Sequence, residues 1–208
     1  MNVLVVAPHP DDESIGCGGA IATHADAGDR VTVVWLTSGG AGVGSTDPAR
    51  AREIRETEAV AAAGLLGLTG HIFLGLPDGD LGSEVTAATT AIAGLVDRIR
   101  PGVVYAPHEL ENHPDHVAAF HATEVAMTAA PSGGVLHCYE VWTPLTWFDV
   151  VLPIDGQMGR KLEAVGCYRS QLEHFRLEAA AAGLAAYRGA LAGGCDYAEV
   201  FSCPAIDG

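Results

Sequence analysis

Lysine is nearly absent from this chain. Lys161 stands beside ten arginines, and the 11 cationic side chains face 26 acidic ones. The net charge of −15 repels a phosphate backbone, which excludes nucleic acid as a general partner. Aromatic residues are scarce at 6%, so Ala, Val and Leu must fill most of any core. No stretch approaches the roughly 18 uninterrupted apolar residues of a membrane span. The apolar run at 2–7 leads straight into His9-Pro10-Asp11-Asp12. It lacks the basic start, the longer apolar stretch and the small-residue cleavage site of a signal peptide. The cysteines (Cys17, Cys138, Cys167, Cys195 and Cys203) are odd in number and form no C-x-x-C pair. They read as reduced, mostly buried thiols of a cytoplasmic protein.

What is present is apolar and regular. Hydrophobic residues make up 49% of the 208, too many for a disordered acidic tail. The length suits one domain, 1–208, with a core of its own. No linker, low-complexity tract or solenoid repeat interrupts it. Residues 2–7 and 31–37 are β-branched runs of the kind buried on both faces of a sheet. Shorter strands are expected at 71–75 and 102–106. Helices are expected at 14–27, from Asp47-Pro48 to about Leu66, at 84–99 and at 116–130, with Asp47 as N-cap and Pro48 at the first helical position. Gly-rich loops fall at 38–46 and 77–83. Beyond these, 135–142, 147–153 and 197–202 read as strands. Residues 156–170 and 173–192 read as helices, with Asp155 a candidate N-cap. Alternating strands and helices predict an α/β fold: a Rossmann-like three-layer α/β/α arrangement around a mostly parallel sheet. The expected order is 3-2-1-4-5 plus C-terminal strands.

One short pattern occurs twice. His9-Pro10-Asp11-Asp12 follows the first strand and His113-Pro114-Asp115-His116 the fourth. Each proline fixes its own φ and pushes the histidine before it toward an extended backbone. Strands 1 and 4 are neighbours at the switch point of such a sheet, and ligands bind outside their carboxyl ends. His9, His113, His116, Asp11, Asp12, Glu13 and Asp115 would then share one crevice. Two imidazoles and a carboxylate leave a zinc ion an open position for water. Such an ion lowers the water pKa and polarises a carbonyl. A spare carboxylate can act as base and a spare histidine can stabilise an oxyanion.

These clusters, with Glu13 and Gly16-Cys17-Gly18-Gly19, resemble the LmbE/PIG-L family of zinc-dependent N-deacetylases. The similarity continues through Gly28-Asp29-Arg30-Val31, Thr37-Ser38-Gly39-Gly40, Arg55-Glu56-Thr57-Glu58, Leu76-Pro77-Asp78-Gly79, Ser170-Gln171 and Tyr197-Ala198-Glu199. The resemblance implies a cytoplasmic hydrolase of linear amide C–N bonds, taking acetyl from an amino sugar or an N-acetylglucosaminyl conjugate. It implies His9, Asp12 and His116 as ligands of Zn2+, with Fe2+ or another divalent ion as substitute. It implies Asp11 as general base and acid, and His113, oriented by Asp115, as oxyanion stabiliser. Arg55 and Asp78 would contact the sugar. The family's His-x-Ser-Gln signature reads Tyr168-Arg169-Ser170-Gln171 here, a departure expected on the substrate side.

Plainer explanations compete for several of these residues. Asp12 alone could be a helix cap, and His113-Pro114-Asp115-His116 a polar turn; their pairing argues otherwise. Arg52, Arg55, Glu56 and Glu58 could form a solvated helix face. Asp78 suits a turn. Gly16, Gly18 and Gly19 do not fit G-x-G-x-x-G, and close helix–strand packing explains them better. His108 could line the pocket. Trp142, Trp147 and Phe148 could roof it, fill the core or meet another subunit. The same zinc chemistry could serve an N-acylated antibiotic or other specialised metabolite. The rival of another class is a non-catalytic nucleotide- or sugar-binding Rossmann-like module. The expected partner is a small molecule, with no membrane, and the apolar C-terminal segments allow a homo-oligomer.

Overall fold

A computed structural model describes residues 1–43, 47–129, 134–192 and 194–206. Residues 44–46 of the expected loop and Ala130 of the expected fourth helix lie outside them. Five strands form the main sheet: β1 (Asn2–Ala7), β2 (Arg30–Thr37), β3 (Gly70–Leu76), β4 (Val103–Pro107) and β5 (Val135–Tyr139). Their order is β3-β2-β1-β4-β5, and every pairing is parallel. Val3 of β1 lies against Val31 on one side and Val103 on the other. The second sheet, β6 (Val150–Pro153) against β7 (Ala198–Phe201), is antiparallel. An isolated bridge, Cys138 to Ser202, joins it to β5.

Strand alternation divides the core. Val3, Val5 and Ala7 face α1 (Asp12–Asp26) and α2 (Pro48–Leu66). Leu4 and Val6 face α3 (Val85–Ile99) and α4 (Pro114–Ala129). Asp47 caps α2 by accepting the Ala49 N–H at 3.0 Å. Arg100 ends α3 in a left-handed conformation just before Pro101.

Three glycines of α1 let other elements approach closely. A Cβ at Gly16 would lie 2.2 Å from the Tyr139 ring, and one at Gly19 2.6 Å from Ile154. A Cβ at Gly18 would lie 3.1 Å from Lys161. α1 kinks at Cys17 (φ −140°, ψ 24°). Beyond the kink the buried Glu199 accepts the N–H groups of Gly19 and Ala20, and Lys161 Nζ donates to it at 2.6 Å.

The C-terminal half departs most from expectation. The predicted helix 156–170 is broken into α5 (Met158–Val165) and α6 (Arg169–Leu172), and α7 (Leu177–Ala192) begins later than position 173. Asp155 is not a helix cap; it accepts the Tyr197 N–H at 2.7 Å, and Gln157 stands at the cap position. All five cysteines are free, but only Cys17 and Cys138 are buried. No described helix is long and apolar enough to cross a membrane.

Candidate metal centre and active site

The two histidine clusters meet because β1 and β4 are adjacent. α1 and α4 each start two residues earlier than expected, which puts Asp12 and both Asp115 and His116 in first helical turns. The His9 N–H donates to Asp12 Oδ2 at 2.9 Å, and His9 Nδ1 lies 3.1 Å from the same oxygen. His116 Nε2 approaches that oxygen from the other strand at 3.2 Å. The rings of His9, His113 and His116 stand 4.9–5.4 Å apart, and each offers a nitrogen within 4.8 Å of the others. Among the described residues, both groupings able to hold a metal include His9.

His116 supplies the test of fit. It is fully buried, and neither ring nitrogen makes a hydrogen bond. Buried polar atoms are rarely left so. His116 Nε2 lies 3.2 Å from Asp12 Oδ2 without forming a hydrogen bond to it, so a ring nitrogen is free for a cation. Two imidazoles and a carboxylate converging this way suit a divalent transition metal.

The surroundings orient these donors. His9 Nε2 lies 3.1 Å from both Asp78 Oδ1 and Asp115 Oδ2. A proton on Nε2 serves both carboxylates, and Nδ1, 3.1 Å from Asp12 Oδ2, is the nitrogen that a bound cation would take. Burial lowers the His9 pKa, but Asp115, Asp12 and Asp78 outweigh it and hold the ring well above the usual range. Burial raises Asp12, while His116 and His9 together bring it below the usual carboxylate range. Three carboxylates around one imidazole favour positive charge at this point, which the protonated ring itself can supply.

Asp115 is correctly placed in the cluster, but its carboxylate does not orient His113. It accepts the Gly79 and Leu81 N–H groups at 2.8 and 3.0 Å and turns its remaining capacity to His9. What His113 receives is the Asp115 backbone N–H, at 3.2 Å on Nδ1. That contact leaves the His113 proton on Nε2. Burial, with His9 and His116 close by, lowers the His113 pKa. The ring is thus a neutral donor.

Asp11 sits where β1 turns into α1, at φ 114° and ψ −33°. A non-glycine residue held there stores about 1–3 kcal/mol of strain. Arg55 is not on a solvated face: it is 1% exposed, and it donates to Asp11 Oδ2 at 3.0 Å and to the Pro10 carbonyl. Burial pushes the Asp11 pKa up to about 7, with Arg55 pulling the other way.

A cavity of about 260 Å³ opens above these groups, lined by His9, Asp11, Asp12, Arg55, Asp78 and His113 among others. Trp142 and Phe175 stand at it in edge contact, 5.5 Å between centroids. Trp147 and His108 do not line it. Trp147 is 75% exposed; His108 is buried against the Thr143 carbonyl. Tyr168 is fully buried with its hydroxyl on Glu13 and does not line the cavity, so the departure from His-x-Ser-Gln does not face the substrate side. Sequence reasoning missed Phe175 and Glu111. Glu111 accepts the Val141, Trp142 and Thr143 N–H groups, and its Oε2 lies 3.8 Å from His116 Nδ1. Its position two residues before His113 was the available signal.

The PIG-L family pattern, described as GlcNAc-PI de-N-acetylase, matches residues 4–127. The chain belongs to the PIG-L family. One relative is 1D-myo-inositol 2-acetamido-2-deoxy-alpha-D-glucopyranoside deacetylase of Kineococcus radiotolerans, 33% identical over 64% of this chain and 46% of its own length. The chain thus spans about half that relative's length. Another is the probable N-acetyl-alpha-D-glucosaminyl L-malate deacetylase 2 of Bacillus cereus, 32% identical over 83% of this chain and 84% of its own. Among solved structures, the conserved protein TT1542 from Thermus thermophilus is 34% identical, with a TM-score of 0.86 over 98% of this chain and 94% of its own. Both histidine clusters, Arg55 and Asp78 lie within the PIG-L match. Trp142, Tyr168 and Phe175 lie beyond it.

Proposed function

We propose that the chain is a metal-dependent deacetylase that removes acetyl from an amino sugar or an N-acetylglucosaminyl conjugate. The observation that carries this reading is the proximity of His9, Asp12 and the buried His116, with His9, Asp11 and Asp12 opening on one small cavity. His9, Asp12 and His116 would hold zinc or, with the same donors, Fe2+. The ion when bound supplies Lewis acidity, which makes water more acidic and an amide carbonyl more electrophilic.

Asp11 takes a proton from the attacking water as the new C–O bond forms. It returns that proton to the amide nitrogen as the C–N bond breaks, so acetate and a free amine leave. Burial and the grip of Arg55 hold its carboxylate in place for both transfers. His113 donates from Nε2 to the oxyanion of the tetrahedral intermediate. Asp115 and Asp78 hold His9, and Arg55 acts on substrate through Asp11 more than by direct contact. The cavity falls just below the roughly 300–1,000 Å³ of ordinary ligand sites. It therefore suits the N-acetyl sugar itself, with any attached group lying outward past Trp142 and Phe175.

The test is acetate release from N-acetylglucosamine conjugates by metal-loaded protein. Asp11→Asn should lower kcat by about 10²–10⁴-fold with metal still bound. Undiminished release by that variant would refute the mechanism.

A further inference from the structure

Asp11 must be held against its own backbone preference, so something has to hold it. Its main-chain N–H donates to Glu13 Oε2 at 3.2 Å. Glu13 is fully buried. Ser14 Oγ donates to its Oε1 at 2.6 Å and Trp35 Nε1 to its Oε2 at 2.8 Å. The fourth donor is the Tyr168 hydroxyl, on Oε1. Four donors match the four lone-pair positions of a carboxylate, so Glu13 has no freedom to turn. The Asp11 side chain is held separately, by Arg55 at 3.0 Å. The Arg55 guanidinium lies 5.5 Å from the centroid of the Tyr168 ring. Both grips on Asp11 therefore lean on one side chain.

We propose that Tyr168 is a positioning residue for Asp11, acting on its backbone through Glu13 and on its carboxylate through Arg55. This rests on the reading above that Asp11 moves the proton. Tyr168 touches no substrate and no metal donor. It occupies the break between α5 and α6, where a continuous helix would carry its ring elsewhere. The interruption of the predicted helix 156–170 thus has a purpose in the site.

Tyr168→Phe removes the hydroxyl and leaves the ring beside Arg55. In the metal-loaded protein kcat for acetate release should fall about 10–100-fold, the equivalent of one hydrogen bond to a charged group. KM should stay within about twofold, because ground-state binding is untouched. Bound metal should be unchanged. The Asp11 amide of ¹⁵N-labelled protein should exchange with solvent about tenfold faster, since its acceptor is freed. Glu13→Gln should lower kcat too, and the double variant should be no slower than the slower single, since both act through one contact. The proposal is overturned if Tyr168→Phe keeps wild-type kcat and wild-type Asp11 exchange, or if the two losses multiply. Should the wild type release no acetate, the functional reading fails, and Asp11 exchange still decides whether Tyr168 holds that residue.

Discussion

Adding one methyl group to α1 should lower stability, although the same change elsewhere raises it. Alanine in place of a helix-interior glycine gains about 0.8–1 kcal/mol from backbone entropy. At Gly16 the new Cβ would stand 2.2, 2.8 and 2.9 Å from ring atoms of Tyr139. That ring is fully buried, and its hydroxyl donates to the Val6 carbonyl at 2.9 Å. Overpacking of this kind costs about 1–3 kcal/mol. Displacing the ring forfeits a hydrogen bond worth about 1 kcal/mol. The balance for Gly16→Ala is a loss of about 1–3 kcal/mol, a fall in Tm of about 2–12 °C for a chain of this length. Gly94, exposed in α3, has nothing within 4 Å of its would-be Cβ. Gly94→Ala should therefore raise Tm by about 1–4 °C. Calorimetry of both variants with metal removed by chelator keeps ligand binding out of the comparison. A Gly16→Ala protein that melts at or above wild type would refute the packing argument.

Two further outcomes concern the metal. Zinc at about 100 times its Kd should stabilise the protein by about 2.7 kcal/mol, a Tm rise of about 5–11 °C. His116→Ala should abolish most of that rise, and an undiminished rise would show that the metal binds elsewhere. Asp115→Asn weakens the partner of His9 Nε2 and should reduce metal affinity about 10–100-fold, measured by competition with a chromogenic chelator. An unchanged affinity would mean that Asp115 serves only the 79–81 loop.

The sheet was legible because β1 and β2 are Val-rich apolar runs, a pattern with few alternative readings. The two clusters were legible because they share a motif and follow neighbouring strands. Hydrogen-bond direction was not legible. Whether the Asp115 carboxylate turns to His113 or to His9 depends on the N–H groups of Gly79 and Leu81, which reach it only through the fold. Arg55 reads as a substrate contact, with a solvated face beside Glu56 and Glu58 as the alternative, yet its guanidinium is bound to Pro10 and Asp11. The break at Gly166-Cys167-Tyr168 was missed for a similar reason: tertiary contacts of Tyr168 override a helical local pattern.

The adjacency of β1 and β4 also gives folding a natural clock. His9 and Asp115 are 106 positions apart in the chain and 3.1 Å apart in space. Asp12 and His116 are divided between the same two strand ends. On the proposed ligand set, a chain in which β1 has paired only with β2 holds two of the three donors and should have no more than weak affinity for the ion. Strong metal uptake should therefore begin when β4 docks, a contact of high sequence separation and correspondingly slow closure. A metal whose spectrum changes on binding would time that event during refolding, separately from the collapse of the helices.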